Sequence, residues 1–138
     1  MTWRQFLFVP LIALTPSGSL ASDYELAIED KGLREYYCTL TVSLKNVAGK
    51  KLTEISGFFY SYVNDEKVGR SKGAWFMNVE PGSVQKTVFE TPNAPCDAVT
   101  RYEFVIGACR LDAGFEDVSA CGGRLIYQAP LMAANPDN

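Results

Sequence analysis

The chain contains no histidine among its 138 residues, and this absence removes several kinds of chemistry. Catalysis by Ser-His-Asp or Cys-His needs an imidazole base, and many zinc, copper and haem sites need imidazole ligands. A serine nucleophile would have to use a lysine or a carboxylate as its base. The composition therefore favours a protein that is not an enzyme and that uses no metal or cofactor.

Long apolar runs are also scarce, and the longest one lies near the start of the chain. Arg4 precedes nine apolar residues, 6–14, and small residues stand at positions 19 and 21. This order is typical of a secretory signal peptide, whereas a membrane-spanning helix needs about 20 apolar residues. We predict a signal peptide over residues 1–21, export to the periplasm or the medium, and no membrane insertion after cleavage.

Basic clusters are missing from the remaining chain, residues 22–138. Loss of Arg4 leaves 12 Lys and Arg against 16 Asp and Glu, so the net charge changes from −3 to −4. A small acidic domain without a basic patch is not suited to nucleic acid or to anionic lipid. We predict neither as a partner.

After residue 21 the apolar residues follow a period of two more often than 3.6, and turn residues recur every eight to twelve positions. This pattern predicts an all-β domain over 22–138, with its core over about 33–128 and without a helix. Its expected form is a single antiparallel β-sandwich of seven or eight strands with immunoglobulin or fibronectin III topology, and a small closed barrel is the alternative. The predicted strands are 37–45, 53–63, 68–72, 74–79, 84–91, 101–109 and 123–128, with 24–28 as an additional edge strand.

Three runs resemble secreted bacterial immunoglobulin-like domains of the FxLYC type. They are Leu40-Thr-Val-Ser-Leu-Lys-Asn46, Ile55-Ser-Gly-Phe-Phe59 and Val79-Glu-Pro-Gly-Ser83. The resemblance spans roughly residues 33–128. It implies a binding or structural module whose partner is not assigned and which has no catalytic residues to transfer.

Four cysteines lie in the exported part, where oxidising conditions favour disulfides. Four cysteines allow three pairings. In a sandwich of this type, the start of the second strand and the loop before the sixth lie at one end, and these positions hold Cys38 and Cys96. Cys109 ends the sixth strand and Cys121 precedes the seventh. We therefore predict the disulfides Cys38–Cys96 and Cys109–Cys121.

Aromatic residues supply the candidate site. Phe58, Tyr60 and Tyr62 lie on one face of the strand 53–63, and the other face is apolar as well. One face must form the core, so the other is unusually apolar for a solvated surface. The aromatic face is interpreted as a binding surface for a protein, or alternatively as a surface covered by a terminal segment of the chain.

On the strand 74–79, Trp75 and Phe76 point to opposite faces, and Phe76 is assigned to the binding surface. An acidic cluster at 112–117 lacks the ligand spacing of a calcium loop and is interpreted as a solvated loop. The resulting hypothesis is an exported, non-catalytic module that binds a protein of the cell envelope or the extracellular space. The alternatives are a module that binds carbohydrate or a small ligand, and, third, a hydrolase that uses carboxylates only.

Overall fold

The computed structural model describes residues 23–92, 94–111, 114–115 and 117–134, most of them in β-strands. The predicted signal peptide, 1–21, lies outside the described residues. The strands are β1 (Tyr24–Arg34), β2 (Tyr37–Asn46), β3 (Leu52–Val63), β4 (Glu66–Arg70), β5 (Ala74–Val79), β6 (Val84–Pro92), β7 (Arg101–Leu111), β8 (Gly114–Phe115), β9 (Leu125–Tyr127) and β10 (Leu131–Ala133), with one short helix, α1 (Val118–Gly122).

The strands form two mixed sheets. The first sheet has the order β6-β2-β1-β9. The second has the order β10-β7-β3-β4, and β5 also pairs with β3 while β8 pairs with β7. Two pairings, β1 with β9 and β10 with β7, are parallel. The chain changes sheets between β9 and β10, where Pro130 follows a cis peptide bond and its carbonyl accepts a hydrogen bond from the Tyr102 N–H.

Side chains from both sheets form one shared core. The period-two pattern of β2 is confirmed, because every second side chain from Cys38 to Leu44 is buried. A cluster of phenylalanines from both sheets belongs to the same core, with ring centroids 4.5 Å apart for Phe59 and Phe89, and 4.9 Å apart for Phe59 and Phe104. Ring pairs at such distances add attraction to the burial of apolar area. The core therefore lies between β2 and β3, and the outer face of each sheet is left for other roles.

The expected architecture needs five corrections. Ten strands are found in the described part of the chain, and the sheets are not purely antiparallel. The segment expected to be an edge strand, 24–28, belongs to β1, which lies between β2 and β9. A helix, α1, is present although none was predicted. Residues 131–133, expected to be part of a tail, form β10 because they pair with residues 102–104.

The outer edge of β5 contacts β6 of the other sheet through side chains. The side-chain amide of Gln85 takes the place of a backbone strand partner. It accepts a hydrogen bond from the Met77 N–H at 2.7 Å and donates one to the Met77 carbonyl at 2.9 Å. Thr87 donates to the Trp75 carbonyl at 2.8 Å. An edge strand whose backbone groups are satisfied in this way is less able to pair with another chain.

Both disulfides have the predicted pairing. Cys38–Cys96 ties the start of β2 to the loop after β6, with 5.2 Å between the Cα atoms. Cys109–Cys121 ties β7 to α1. The Asp117 carboxylate accepts from the Ser119 N–H at 2.7 Å and so caps this short helix. The rest of the predicted acidic loop includes Asp112 and Glu116, which lie outside the described residues.

Tyr102 is fully buried, and its hydroxyl has no hydrogen-bond partner within the described ranges. Removing an unsatisfied buried hydroxyl relieves a desolvation cost, so we expect Tyr102→Phe to raise the free energy of unfolding by about 1 kcal/mol. Burial also raises the pKa of Tyr102 from 10.0 to about 12. The unfolded chain therefore releases this proton first, and stability is full below pH 10 and falls as the pH rises towards 12.

Urea unfolding of both proteins at pH 8 and pH 10.5 checks this expectation. The natural protein should lose more stability than Tyr102→Phe between the two pH values. A variant that is less stable at pH 8, or that has the same pH dependence, would contradict it. Burial also raises the pKa of Tyr127 to about 12, so part of the alkaline loss should remain in the variant.

Candidate functional site

The aromatic row of β3 points away from the core, as its alternation predicts. Phe58 and Tyr60 are half-buried on the outer face of the second sheet, and their rings meet edge to face with centroids 5.2 Å apart. Tyr62 continues the row but is only 4% exposed. The accessible part of the row is therefore Phe58 and Tyr60.

Three cationic side chains lie over the three rings. The guanidinium carbon of Arg70 is 3.9 Å from the centroid of Phe58, and the Lys67 ammonium nitrogen is 3.8 Å from the centroid of Tyr60. Tyr62 is covered by the Arg101 guanidinium at 3.7 Å. Such stacking is favourable because the face of an aromatic ring is electronegative. Within the described residues, these side chains cover the row, and no terminal segment does.

Tyr62 is held in a polar network. Its hydroxyl donates to a Glu103 carboxylate oxygen at 2.9 Å, and the other oxygen accepts from Arg101 at 2.7 Å. Arg101 also lies 3.8 Å from the Asp65 carboxylate. Burial, followed by the hydrogen bond to Glu103, raises the pKa of Tyr62 above its ordinary value. Tyr62 therefore supports this end of the sheet, and its predicted contact with a partner is not favoured by its position.

The structure places Trp75, and not Phe76, on the outer face. Phe76 is fully buried and pairs with Ile55, so its assignment to the binding surface is corrected. Trp75 is 59% exposed and pairs with Ser56, two residues before Phe58. Large exposed aromatic side chains are the ones that dominate many protein interfaces.

A shallow slot of about 200 Å³ separates the side chains of Trp75 and Phe58. Three glycines, at positions 57, 73 and 107, line it together with Ser56 and Ala74. The β-carbon of any other residue at position 57 would overlap the Val105 carbonyl oxygen and lie 2.9 Å from the Phe104 ring. The close approach of β3 to β7 therefore requires glycine at position 57.

Other exposed apolar side chains lie on β5 and β6. Met77 follows on β5, and Val84 and Val88 lie on the outer face of β6, all about half exposed. The bonds from Gln85 and Thr87 to the backbone of β5 hold these two strands together. We use the name aromatic surface for Phe58, Tyr60 and Trp75 with Lys67 and Arg70.

Two serines lie in short motifs that accompany nucleophiles in some enzymes. In Gly69-Arg-Ser-Lys-Gly73, the buried Ser71 hydroxyl accepts from the Phe59 N–H at 2.8 Å and donates to the Lys72 carbonyl. In Ser83-Val-Gln-Lys86, the Ser83 hydroxyl donates to the Glu80 carbonyl at 2.7 Å. The Ser71 hydroxyl joins the segment after β4 to β3, the Ser83 hydroxyl fixes a turn, and neither contacts a base in the described structure.

Sequence reasoning missed a second exposed group at the β1–β2 hairpin. Leu33 is 73% exposed and Tyr36 is 84% exposed at its tip, where Glu35 has a positive φ of 54°. A hollow of about 380 Å³ lies beside this tip and extends to Cys96. The available signal was Tyr36 itself, an aromatic residue that precedes the predicted strand 37–45 and so has no place in its alternation.

Comparisons with protein-family models, with curated proteins and with solved structures find no match. Among the described residues, no helix is long and apolar enough to cross a membrane. The same residues include no group of three or more Cys, Asp or Glu side chains placed to hold a metal ion.

Proposed function

We propose that this protein is an exported, non-catalytic binding module with an immunoglobulin-like β-sandwich fold, which engages a protein partner through the aromatic surface. One observation carries the proposal. Trp75 stands exposed beside Phe58 across a slot floored by glycines, and both rings lie on a rigid sheet. A partner's apolar side chain that enters this slot would be desolvated between two rings, which is the usual setting of an interface hot spot.

Export is supported by the two disulfides, which are typical of oxidising compartments, and by the predicted signal peptide. The likeness to FxLYC-type domains remains part of this proposal. It is supported by the two-sheet architecture and by the disulfide that joins the start of β2 to the loop before β7.

The alternatives receive less support from the same geometry. Sugar-binding sites combine stacking rings with several hydrogen-bonding groups, whereas Ser56 supplies the only side-chain hydroxyl that lines the slot, and no amide lines it. A carboxylate-dependent hydrolase needs two acids across a cleft. The buried acid nearest the aromatic surface, Glu103, is occupied by Tyr62 and Arg101.

Trp75→Ala tests the proposal. We expect the variant to bind the partner at least about 30-fold more weakly, because removal of a hot-spot tryptophan typically costs 2 kcal/mol or more. Its melting temperature should change little, since the side chain is mostly exposed in the isolated protein. The matched control is Val88→Ala, which removes an equally exposed apolar side chain outside the slot.

Site-specific photo-crosslinking identifies the partner for this measurement. A benzoylphenylalanine is placed at position 75 or, as a control, at position 86, where Lys86 is exposed on the first sheet. Cells that export the protein are then irradiated. We expect one adduct of defined mass from position 75, absent from position 86 and lost when Phe58→Ala is added. The same adducts from both positions, or none from position 75, would refute a protein-binding role for this surface.

A further inference from the structure

The hairpin strand β4 contains a bulge that turns two cations to the outer face. The pairing of β3 with β4 shifts between Ser61 and Tyr62, so that Val68 has no partner of its own. Val68 packs against the core, whereas Lys67 before it and Arg70 two residues after it are both exposed above the rings of β3. If the side chains of β4 alternated regularly between the two faces, counting back from Arg70, the Lys67 side chain would point to the core. The bulge therefore places both charges on one face, which is a known use of bulges near functional sites.

These two cations differ from their neighbours in what they contact. Arg101 pairs with Glu103 at 2.7 Å, and Lys72 pairs with Glu90 at 2.7 Å. In the part of the chain that the structure describes, no carboxylate is paired with Lys67 or Arg70, whose recorded contacts are the rings of Phe58, Tyr60 and Tyr62. A stacked guanidinium keeps its N–H donors at the edge of its plane, where an anion can accept from them.

The spacing of the two cation–ring pairs fits an extended peptide. Phe58 and Tyr60 are two residues apart on β3, which corresponds to about 7 Å along the strand. Side chains on one face of an extended segment repeat at the same distance. Two carboxylates at alternate positions of such a segment could therefore reach Arg70 and Lys67 together, while an apolar residue beyond them enters the slot next to Trp75.

The overall charge argues against a polyanion at this place. The processed chain has a predicted net charge of −4, and acidic side chains such as Asp65 and Glu66 lie close to the two cations in the sequence. A nucleic acid or a sulfated polysaccharide is attracted by a broad positive field, which this protein does not supply. A segment with few carboxylates needs only local contacts, and those contacts are screened by salt.

We propose that the segment recognised by the aromatic surface is an extended acidic peptide, whose carboxylates at alternate positions pair with Lys67 and Arg70 and whose apolar side chain enters the slot. This inference rests on the proposed protein-binding function and adds the chemistry of the partner. The rings then have two roles. They hold the side chains of Lys67 and Arg70 where an anion can bind them, and they provide an apolar contact area.

Peptide titration tests this inference on the processed protein. The probe is a labelled ten-residue peptide that alternates glutamate with threonine and carries phenylalanine at each end. Its control has glutamine in place of every glutamate. Trp3 lies in the predicted signal peptide, so Trp75 is the single tryptophan of the processed chain and its fluorescence reports on the slot. We expect the acidic peptide to bind at least about tenfold more tightly than the glutamine peptide at low salt and to change the Trp75 emission.

The matched variants are Lys67→Gln with Arg70→Gln, and Lys45→Gln with Lys86→Gln, which remove the same charge from the outer face of the first sheet. Only the first pair should abolish the preference for the acidic peptide. Three results would overturn the inference. They are equal affinity for both peptides, an equal loss of affinity for the acidic peptide in both variants, and preferential binding of heparin through the same two cations.

The two proposals can fail separately. The crosslinked partner is tested against Trp75→Ala and against the Lys67→Gln, Arg70→Gln protein. Loss of partner binding in both variants supports both proposals. Loss of partner binding in Trp75→Ala alone overturns the proposal of an acidic segment and leaves the protein-binding function intact. Unchanged partner binding in both variants overturns both proposals.

Discussion

Replacement of both Cys38 and Cys96 by alanine is expected to lower the free energy of unfolding by about 4 kcal/mol. The bond closes a loop with a sequence separation of 58 residues, and its removal returns the conformational entropy of that loop to the unfolded chain. Domains of this size have total stabilities of about 5–15 kcal/mol, so the loss is a large share of the whole. Urea unfolding followed by circular dichroism measures it.

The second disulfide is the internal control for this prediction. Cys109–Cys121 has a sequence separation of only 12 residues, and on the same entropic argument its double alanine variant should lose about 3 kcal/mol. The longer loop should therefore give the larger loss. The opposite order would show that contacts of α1, and not loop entropy, determine what these bonds contribute.

Most of the strands were predictable from sequence because a half-buried strand must alternate. β2, β3, β5 and β7 are long enough for this alternation to be read, and their bounds differ from the predicted ones by at most two residues. β10 has only three residues, too few to display a period, and its parallel pairing with β7 depends on where the chain crosses between sheets. The five-residue helix α1 depends on the Asp117 cap and on a disulfide, neither of which gives a periodic signal.

The candidate site was predictable in part, and the limits have a physical cause. Alternation places Phe58 and Tyr60 on the same face without any knowledge of the partner strands. It cannot decide between Trp75 and Phe76, because both are large and apolar and the choice depends on the pairing of Phe76 with Ile55. The orientation of the Lys67 side chain could not be predicted from the sequence either, since it depends on a bulge that breaks the alternation of β4.

Gly57→Ala is expected to destabilise the protein by at least about 3 kcal/mol, although it adds a single methyl group. The added carbon would overlap the Val105 carbonyl oxygen, a backbone atom of the adjoining strand β7, and would press on the Phe104 ring in the core. A flexible side chain could move aside, but here the backbones of β3 and β7 must separate. Thermal unfolding of the purified variant measures the effect.

Gly107→Ala is the matched control, because Gly107 lines the same slot from the opposite strand. Its added methyl group would meet the nearest atom, the Ser56 carbonyl oxygen, at 3.7 Å, an ordinary contact distance. We expect a change in stability within about 0.5 kcal/mol. Comparable losses in the two variants would contradict the assignment of the effect to the overlap with the Val105 carbonyl oxygen. A large loss confined to Gly57→Ala would locate the requirement at the single point where β3 and β7 approach most closely. In that case glycine is required at position 57 because the Val105 carbonyl oxygen and the buried Phe104 ring leave no room for a side chain on the core side of β3.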